Sequence, residues 1–412
     1  MNDGLVRNAA LVLPDRVCHG GMIWQNGILK DILEEEASPS PFFDGQAPKE
    51  TTVWDMEGDI LIPGLIDTHV HGAGGCDVMD CTLDSMQTLA ETLLKEGTTA
   101  FLPTTMSCRP EHLKRVLQNV DNFRLDNFRP CPQRGAEIVG LHLEGPFLTK
   151  EFRGAHAAEM IWDVENERDA KNDWDIKNES VIFLQNLLCE FPNLIKILTF
   201  APERPDGQKL AEICQTHRVI PSVGHTSADY AQMEKAMQWG VRHVTHAFNA
   251  MPSIHHRNPG LITRALQDNT ITMEIIADGV HIHPAIIELV LKNKPPERVC
   301  LVSDGTRAVG MPDGEYELGG QKAIVRQGIA QLPDGTIAGS AYTLRQGLKT
   351  LVKKLHCPLP ATVRYATLNP AKLLGIDNRV GSLERGKEAT FIRLSSDFDI
   401  KQIWLRGKLV FN

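Results

Sequence analysis

The stretch LIPGLIDTHVHGAGG, Leu61 to Gly75, closes an apolar run with two imidazoles two places apart, His69 and His71, and then turns into glycines. Residues i and i+2 of a strand share one face, so both rings would project the same way past the strand end. Alone, a His-x-His pair is either a metal arm or two partly exposed loop histidines. Further ligands elsewhere must decide. Other apolar runs also end in donors: Glu144 in EIVGLHLEGP, His225 in RVIPSVGH, His246 in RHVTHAFN and Asp304 in RVCLVSDG. The segment IADGVHIH adds Asp278, His281 and His283. Imidazole nitrogens and carboxylate oxygens suit zinc or iron(II), and a His/Glu/His set leaves a coordination position for water. A metal so held lowers the pKa of water to about 7. Asp304 is then a candidate to accept a proton and hand it to a leaving group. That is the chemistry of hydrolysis at neutral pH.

Such donors need a scaffold that brings strand ends together. Eight short apolar segments alternate with helical patterns: LIPGLIDTHV, TAFLPTT, EIVGLHLEG, IKILTFAPE, RVIPSVGH, RHVTHAFN, TMEIIADG and RVCLVSDG. The helical runs SMQTLAETLLKEG and DYAQMEKAMQWG stop at Gly97 and Gly240, as helix C-termini do. Near-continuous apolar strands alternating with helices indicate a parallel sheet covered by helices. Eight is the number that closes an α/β (β/α)₈ TIM barrel, in which catalytic groups lie at the C-terminal strand ends. An open doubly wound sheet is the alternative, but no G-x-G-x-x-G follows the first strand. Both chain ends carry short alternating runs instead. They predict a small β-sandwich domain from residues 1–63 and 366–412 around a barrel of residues 64–365. Residues 38–48 read as a loop and the polar residues 157–180 as an exposed excursion. His243 falls on the opposite strand face from His246 and reads as structural. His255 and His256 are ambiguous, and His19, His112, His217 and His356 carry no such pattern.

The formal charge is −9, from 43 Lys and Arg against 52 Asp and Glu. This argues against a nucleic-acid groove, which wants a basic face. Acidic substrates remain open, because one guanidinium can hold a phosphate in an acidic protein. Nine cysteines without a C-x-x-C pair read as free thiols of a reducing, cytoplasmic compartment. Neither a signal-peptide pattern nor a membrane-spanning stretch is evident.

PGLIDTHVHG, the strand-end histidines, Asp304 and the flanking β-segments resemble the amidohydrolase superfamily. Within it, LHLEGPFLTKEFRGAHAAE, VGHTSA, THAFNAMPSIHHRNPG, IADGVHIHP, LVSDG and IAGS closely resemble the N-acetylglucosamine-6-phosphate deacetylase family. The tail NPAKLLGI…GSLERGKEATFI extends the likeness over essentially the whole chain. The superfamily barrel often carries a carboxylated lysine on its fourth strand. Here IKILTFAPE follows the deacetylase pattern, with Glu144 as the carboxylate ligand.

The resemblance implies metal-dependent removal of acetate from a phosphorylated amino sugar. Glu144, His225 and His246 would bind the principal metal, Asp304 would be base and then acid, and His281 would stabilise the oxyanion. Ala155 and His156 would bind the sugar, while Asn249 and Ala250 would serve its phosphate end. Arg257 would pair with the phosphate, and in relatives that region reaches the neighbouring subunit, which implies a homodimer. Ile337, Ala338 and Gly339 would close over the N-acetyl group. Because His69 and His71 are retained, one or two ions per subunit are implied, zinc before iron(II) or another transition metal. The epimeric N-acetylgalactosamine 6-phosphate is the alternative substrate. A cyclic-amide hydrolase fits less well, lacking its lysine and having to explain Arg257. A non-catalytic assembly module would be expected to have lost ligands, and none is missing here.

Overall fold

The computed structural model describes residues 3–34, 52–127, 135–162 and 173–412. Eight strands carry the central architecture: β1 (Leu65–Val70), β2 (Thr98–Pro103), β3 (Leu141–Glu144), β4 (Ile195–Phe200), β5 (Ile220–Val223), β6 (His243–Val244), β7 (Thr272–Ile275) and β8 (Val299–Leu301). Strands β3 to β8 pair in chain order as one parallel sheet. Strand β2 pairs with β1 on one side and Glu137–Ile138 on the other. Parallel bridges join Thr104 to His142 and Val70 to Gly305, so the two runs of strands meet and the sheet curls. Every residue of β1, β2, β3 and β7 is buried, as expected where both faces of a parallel sheet are covered.

Helices separate these strands, among them Leu83–Lys95, Gly207–Thr216, Tyr230–Gln238, Gly260–Gln267 and Pro284–Asn293. Asp229 starts one of them with a reciprocal capping box to Gln232, satisfying N–H groups that the first helical turn leaves free. The expected first segment LIPGLIDTHV is in fact two strands. Ile60–Pro63 pairs antiparallel with Phe391–Leu394, and after Gly64 the chain continues as β1. The expected excursion at 157–180 is partly helical, since a helix runs from Asp173 to Glu190; residues 163–172 and the loop at 38–48 lie outside the described residues.

Two compact units are present: Met1–Ile66 with Leu93–Ala100 and Leu344–Asn412, and Asp67–Thr92 with Phe101–Thr343. In the first, strands from both chain ends join by hydrogen bonds into one eight-stranded sheet. The cause is local. Strand Gly4–Val12 shifts register between Val6 and Ala9 and pairs first with Thr52–Asp55, then with Ile60–Pro63. Its core is aromatic, with Phe391 stacked on Trp404 at 4.6 Å and Trp24 on Trp54 at 5.4 Å. In the second unit, β8 is followed by a four-stranded antiparallel sheet from Gly314 to Ser340. Among the described residues, no helix is long and apolar enough to cross a membrane.

Candidate active site

The strands end sharply where the donors stand. His225, His246 and Asp304 have φ of +48°, +25° and +49°, in or bordering the left-handed region that non-glycine residues seldom adopt. Strained backbone of this kind concentrates at functional sites. It stops each strand and turns the side chain across its end.

Five imidazoles, those of His69, His71, His156, His225 and His246, converge on one carboxylate. Glu144 is buried, and its Oε1 lies 3.2 Å from His225 Nε2 and 3.0 Å from His246 Nε2. Its other oxygen lies 3.3 Å from His71 Nε2 and 3.5 Å from His69 Nε2. Outer partners settle which ring nitrogens face inward. His225 Nδ1–H donates to Phe152 O at 3.0 Å, and His71 Nδ1–H donates to Thr104 O at 3.2 Å. A carbonyl only accepts, so the neutral rings turn their Nε2 lone pairs toward Glu144. His225 and His246 then face each other at 3.0 Å, and His69 and His71 at 3.2 Å. Paired nitrogen lone pairs around a shared carboxylate make a donor set that a cation satisfies. The buried sets Glu144/His225/His246 and His69/His71/Glu144 could each hold a metal ion. Although burial opposes it, the neighbouring imidazoles, His69 first, hold the Glu144 carboxyl well below the usual range.

Asp304 stands beside this set, with Oδ1 3.3 Å from His71 Nε2 and 3.5 Å from His69 Nε2. Burial disfavours its charge, but the adjoining His71 and His69 rings keep it ionised far below an ordinary aspartate. Gly339 packs on it; a Cβ there would lie 2.8 Å from Asp304 O, at a φ of +57°. These groups line a cavity of about 440 Å³ with His71, His156, His281, Asn249, Ala250 and Ile337. That is room for a small, polar, sugar-sized molecule.

The chain matches the Amidohydrolase family over residues 209–410. It is 35% identical over 397 residues to the N-acetylglucosamine-6-phosphate deacetylase of Vibrio furnissii, covering 96% of this chain and 94% of that one. The chain belongs to this deacetylase family of amidohydrolases. An N-acetylgalactosamine-6-phosphate deacetylase of Escherichia coli O157:H7 is 31% identical over 362 residues, 88% of this chain and 90% of the relative. Among solved structures, N-acetylglucosamine-6-phosphate deacetylase from Pasteurella multocida matches with a TM-score of 0.86 at 28% identity, covering 100% of both chains.

Measured against the deacetylase pattern, most expected residues meet in one cavity, and the exceptions are informative. Arg257 is exposed, with Nη1 2.8 Å from His256 Nε2, and does not line its own chain's cavity. Ala338 turns its side chain into an apolar cluster with Met106, Ala155 and Leu318, because alternate residues of the strand Ile337–Ser340 face opposite ways. His156 lines the cavity, but its ring is engaged by protein. Ser107 N–H donates to Nδ1 at 3.0 Å, and Nε2 lies 3.4 Å from Glu144 Oε2. Burial pushes its pKa down to about 4. His283, at the end of the loop after β7, caps the helix Pro284–Asn293 by accepting from Ala285 N–H.

Four residues to which the residue pattern assigned no role take part. Asp278 Oδ2 accepts from His281 Nδ1–H at 2.7 Å, which fixes that ring's orientation; its neighbouring position in IADGVH was the available signal. Arg153 lines the cavity and donates from Nη1 to His156 O at 3.0 Å. Glu274 and His142, both fully buried in mid-strand, lie against His69. No strand-end position marked them. His243, by contrast, is structural as expected, bonded through Nδ1 to Ser222 Oγ at 2.8 Å.

Proposed function

We propose that this chain hydrolyses the acetamide of N-acetylglucosamine 6-phosphate to glucosamine 6-phosphate and acetate. The observation that carries the reading is the convergence of His225 and His246 on Glu144 at the floor of a cavity that also holds Asp304. The scaffold in this reading is a closed (β/α)₈ barrel of residues 64–365, supported by the bridges at Thr104 and Val70. Residues 1–63 and 366–412 form the small β-domain, supported by strand pairing between the two ends.

Glu144, His225 and His246 are the ligands of the principal divalent ion, zinc before iron(II), and His69 and His71 with Glu144 provide for a second. Such an ion, when bound, supplies Lewis-acid polarisation of the amide carbonyl and an acidified water. Asp304, ionised at neutral pH, accepts the proton of the attacking water and returns it to the departing amine. His281, held by Asp278, donates toward the developing oxyanion. Ala155, His156, Asn249 and Ala250 bind the sugar and its phosphate end, and Ile337 and Gly339 border the acetyl group. Arg257 serves the phosphate through a planar guanidinium. Its exposure outside its own chain's cavity supports a role in the neighbouring subunit of a homodimer. No disulfide joins the eight described cysteines, which supports a cytoplasmic compartment.

Acetate release from N-acetylglucosamine 6-phosphate, its galacto epimer and the unphosphorylated sugar tests this reading. The gluco 6-phosphate should have the highest kcat/KM; a preference for the galacto epimer would install the alternative suggested by the Escherichia coli relative. Asp304→Asn should lower kcat by about 10²–10⁴-fold with metal content unchanged. Full activity in that variant would remove Asp304 from the mechanism.

A further inference from the structure

Beneath the strand-end donors lies a second layer of buried polar groups, and Glu274 is its hub. Its side chain is fully buried in β7. Thr68 Oγ1 donates to Oε1 at 2.9 Å, while Oε2 accepts from His69 Nδ1–H at 3.4 Å and from the His246 main-chain N–H at 3.3 Å. His142 packs its ring edge against His69 at a centroid distance of 4.6 Å. His142 is itself fastened, donating to Thr68 O at 2.9 Å and accepting from Thr199 Oγ1 at 2.7 Å. A carboxylate buried this deeply is costly unless its partners are well placed, and no step of the hydrolysis proposed above uses it.

His71 and His225 hold their Nδ1 protons on main-chain carbonyls, which no side-chain substitution removes. His246 Nδ1 is without a partner among the described residues. Among the rings of His69, His71, His225 and His246, only that of His69 has its Nδ1 held by another described residue's side chain. We infer that Glu274 is a positioning residue that acts chiefly on the cation site of His69, His71 and Glu144, since it meets the His69 ring but only the main chain of His246. It keeps the proton on His69 Nδ1 and thereby directs the Nε2 lone pair toward His71 and Glu144. This rests on the reading that the His69/His71/Glu144 group takes an ion. Outer carboxylates of this type fix ring orientation and raise ligand basicity, and removing one costs about 10–100-fold in metal affinity.

The test titrates Zn²⁺ into metal-free wild type, E274L, E274Q and H69A by calorimetry, with metal content measured after dialysis. Wild type should take up two ions. E274L should bind one ion about as wild type does and the other about 10–100-fold more weakly. E274Q, whose carboxamide oxygen can still accept from Nδ1–H, should fall between. H69A should lose the same ion, and adding E274L to H69A should weaken binding no further, as for two residues acting through one contact. Equal weakening of both ions, or unchanged affinities, would overturn the role of Glu274 while leaving the two-ion reading intact. Should E274L not fold, E274Q decides, and wild-type affinity at both sites overturns the inference. Uptake of a single ion by wild type removes the two-ion reading and this inference together, while acetate release still judges the deacetylase reading separately.

Discussion

The two oxygens of Glu144 serve histidine pairs that are supported in different ways. On Oε1, His225 and His246 stand on left-handed strand ends, and His225 is held by the carbonyl of Phe152. On Oε2, His69 lies at the end of β1 and His71 just past it, two residues apart, and His69 leans on the carboxylate of Glu274. The first pair is assembled from two loops by backbone conformation; the second is built at a single strand end by alternation and steadied by a side chain. Support from the backbone resists substitution, whereas support from a side chain can be removed. The two pairs are therefore separable by mutation.

Glu144→Gln is expected to have the largest effect, because both pairs share this carboxylate. Both ions should be lost on dialysis, and retention of either at wild-type affinity would break the shared-ligand picture. Next, His225→Ala should lower kcat more than His69→Ala does, by about tenfold or more, corresponding to about 1.4 kcal/mol of barrier. Equal losses would erase the distinction between a principal and an accessory site. A smaller effect is expected at Asp278→Asn. This change leaves both pairs intact and removes only the anionic partner of His281, whose pKa is raised by Asp278 against the opposing cost of burial. The expected result is about a tenfold fall in kcat with KM nearly constant. A dominant rise in KM would instead make His281 a binding group.

Much of the site was legible because apolar runs that end in His, Glu or Asp are conspicuous. Glu144, His225, His246 and Asp304 each follow such a run, and a parallel sheet brings those ends to one rim. Glu274 and His142 were not legible for the opposite reason. Each lies inside an apolar run, where a single polar residue carries no positional signal. His283 illustrates a third case: its neighbours His281 and Asp278 pair with each other, leaving it free to cap a helix. Arg257 shows that a motif can be recognisable while its place relative to the cavity is not.

By itself the sequence determined the strand–helix alternation, the inventory of donors and their location at strand ends, since periodicity and chain termination are local properties. Only the tertiary structure decided how the donors divide between the two oxygens of Glu144, and that Glu274 reaches His69 across 205 positions of chain. Which interior side chains meet depends on strand order and on the curl of the sheet. Those are set by packing among all the strands together, and no short stretch of residues carries them.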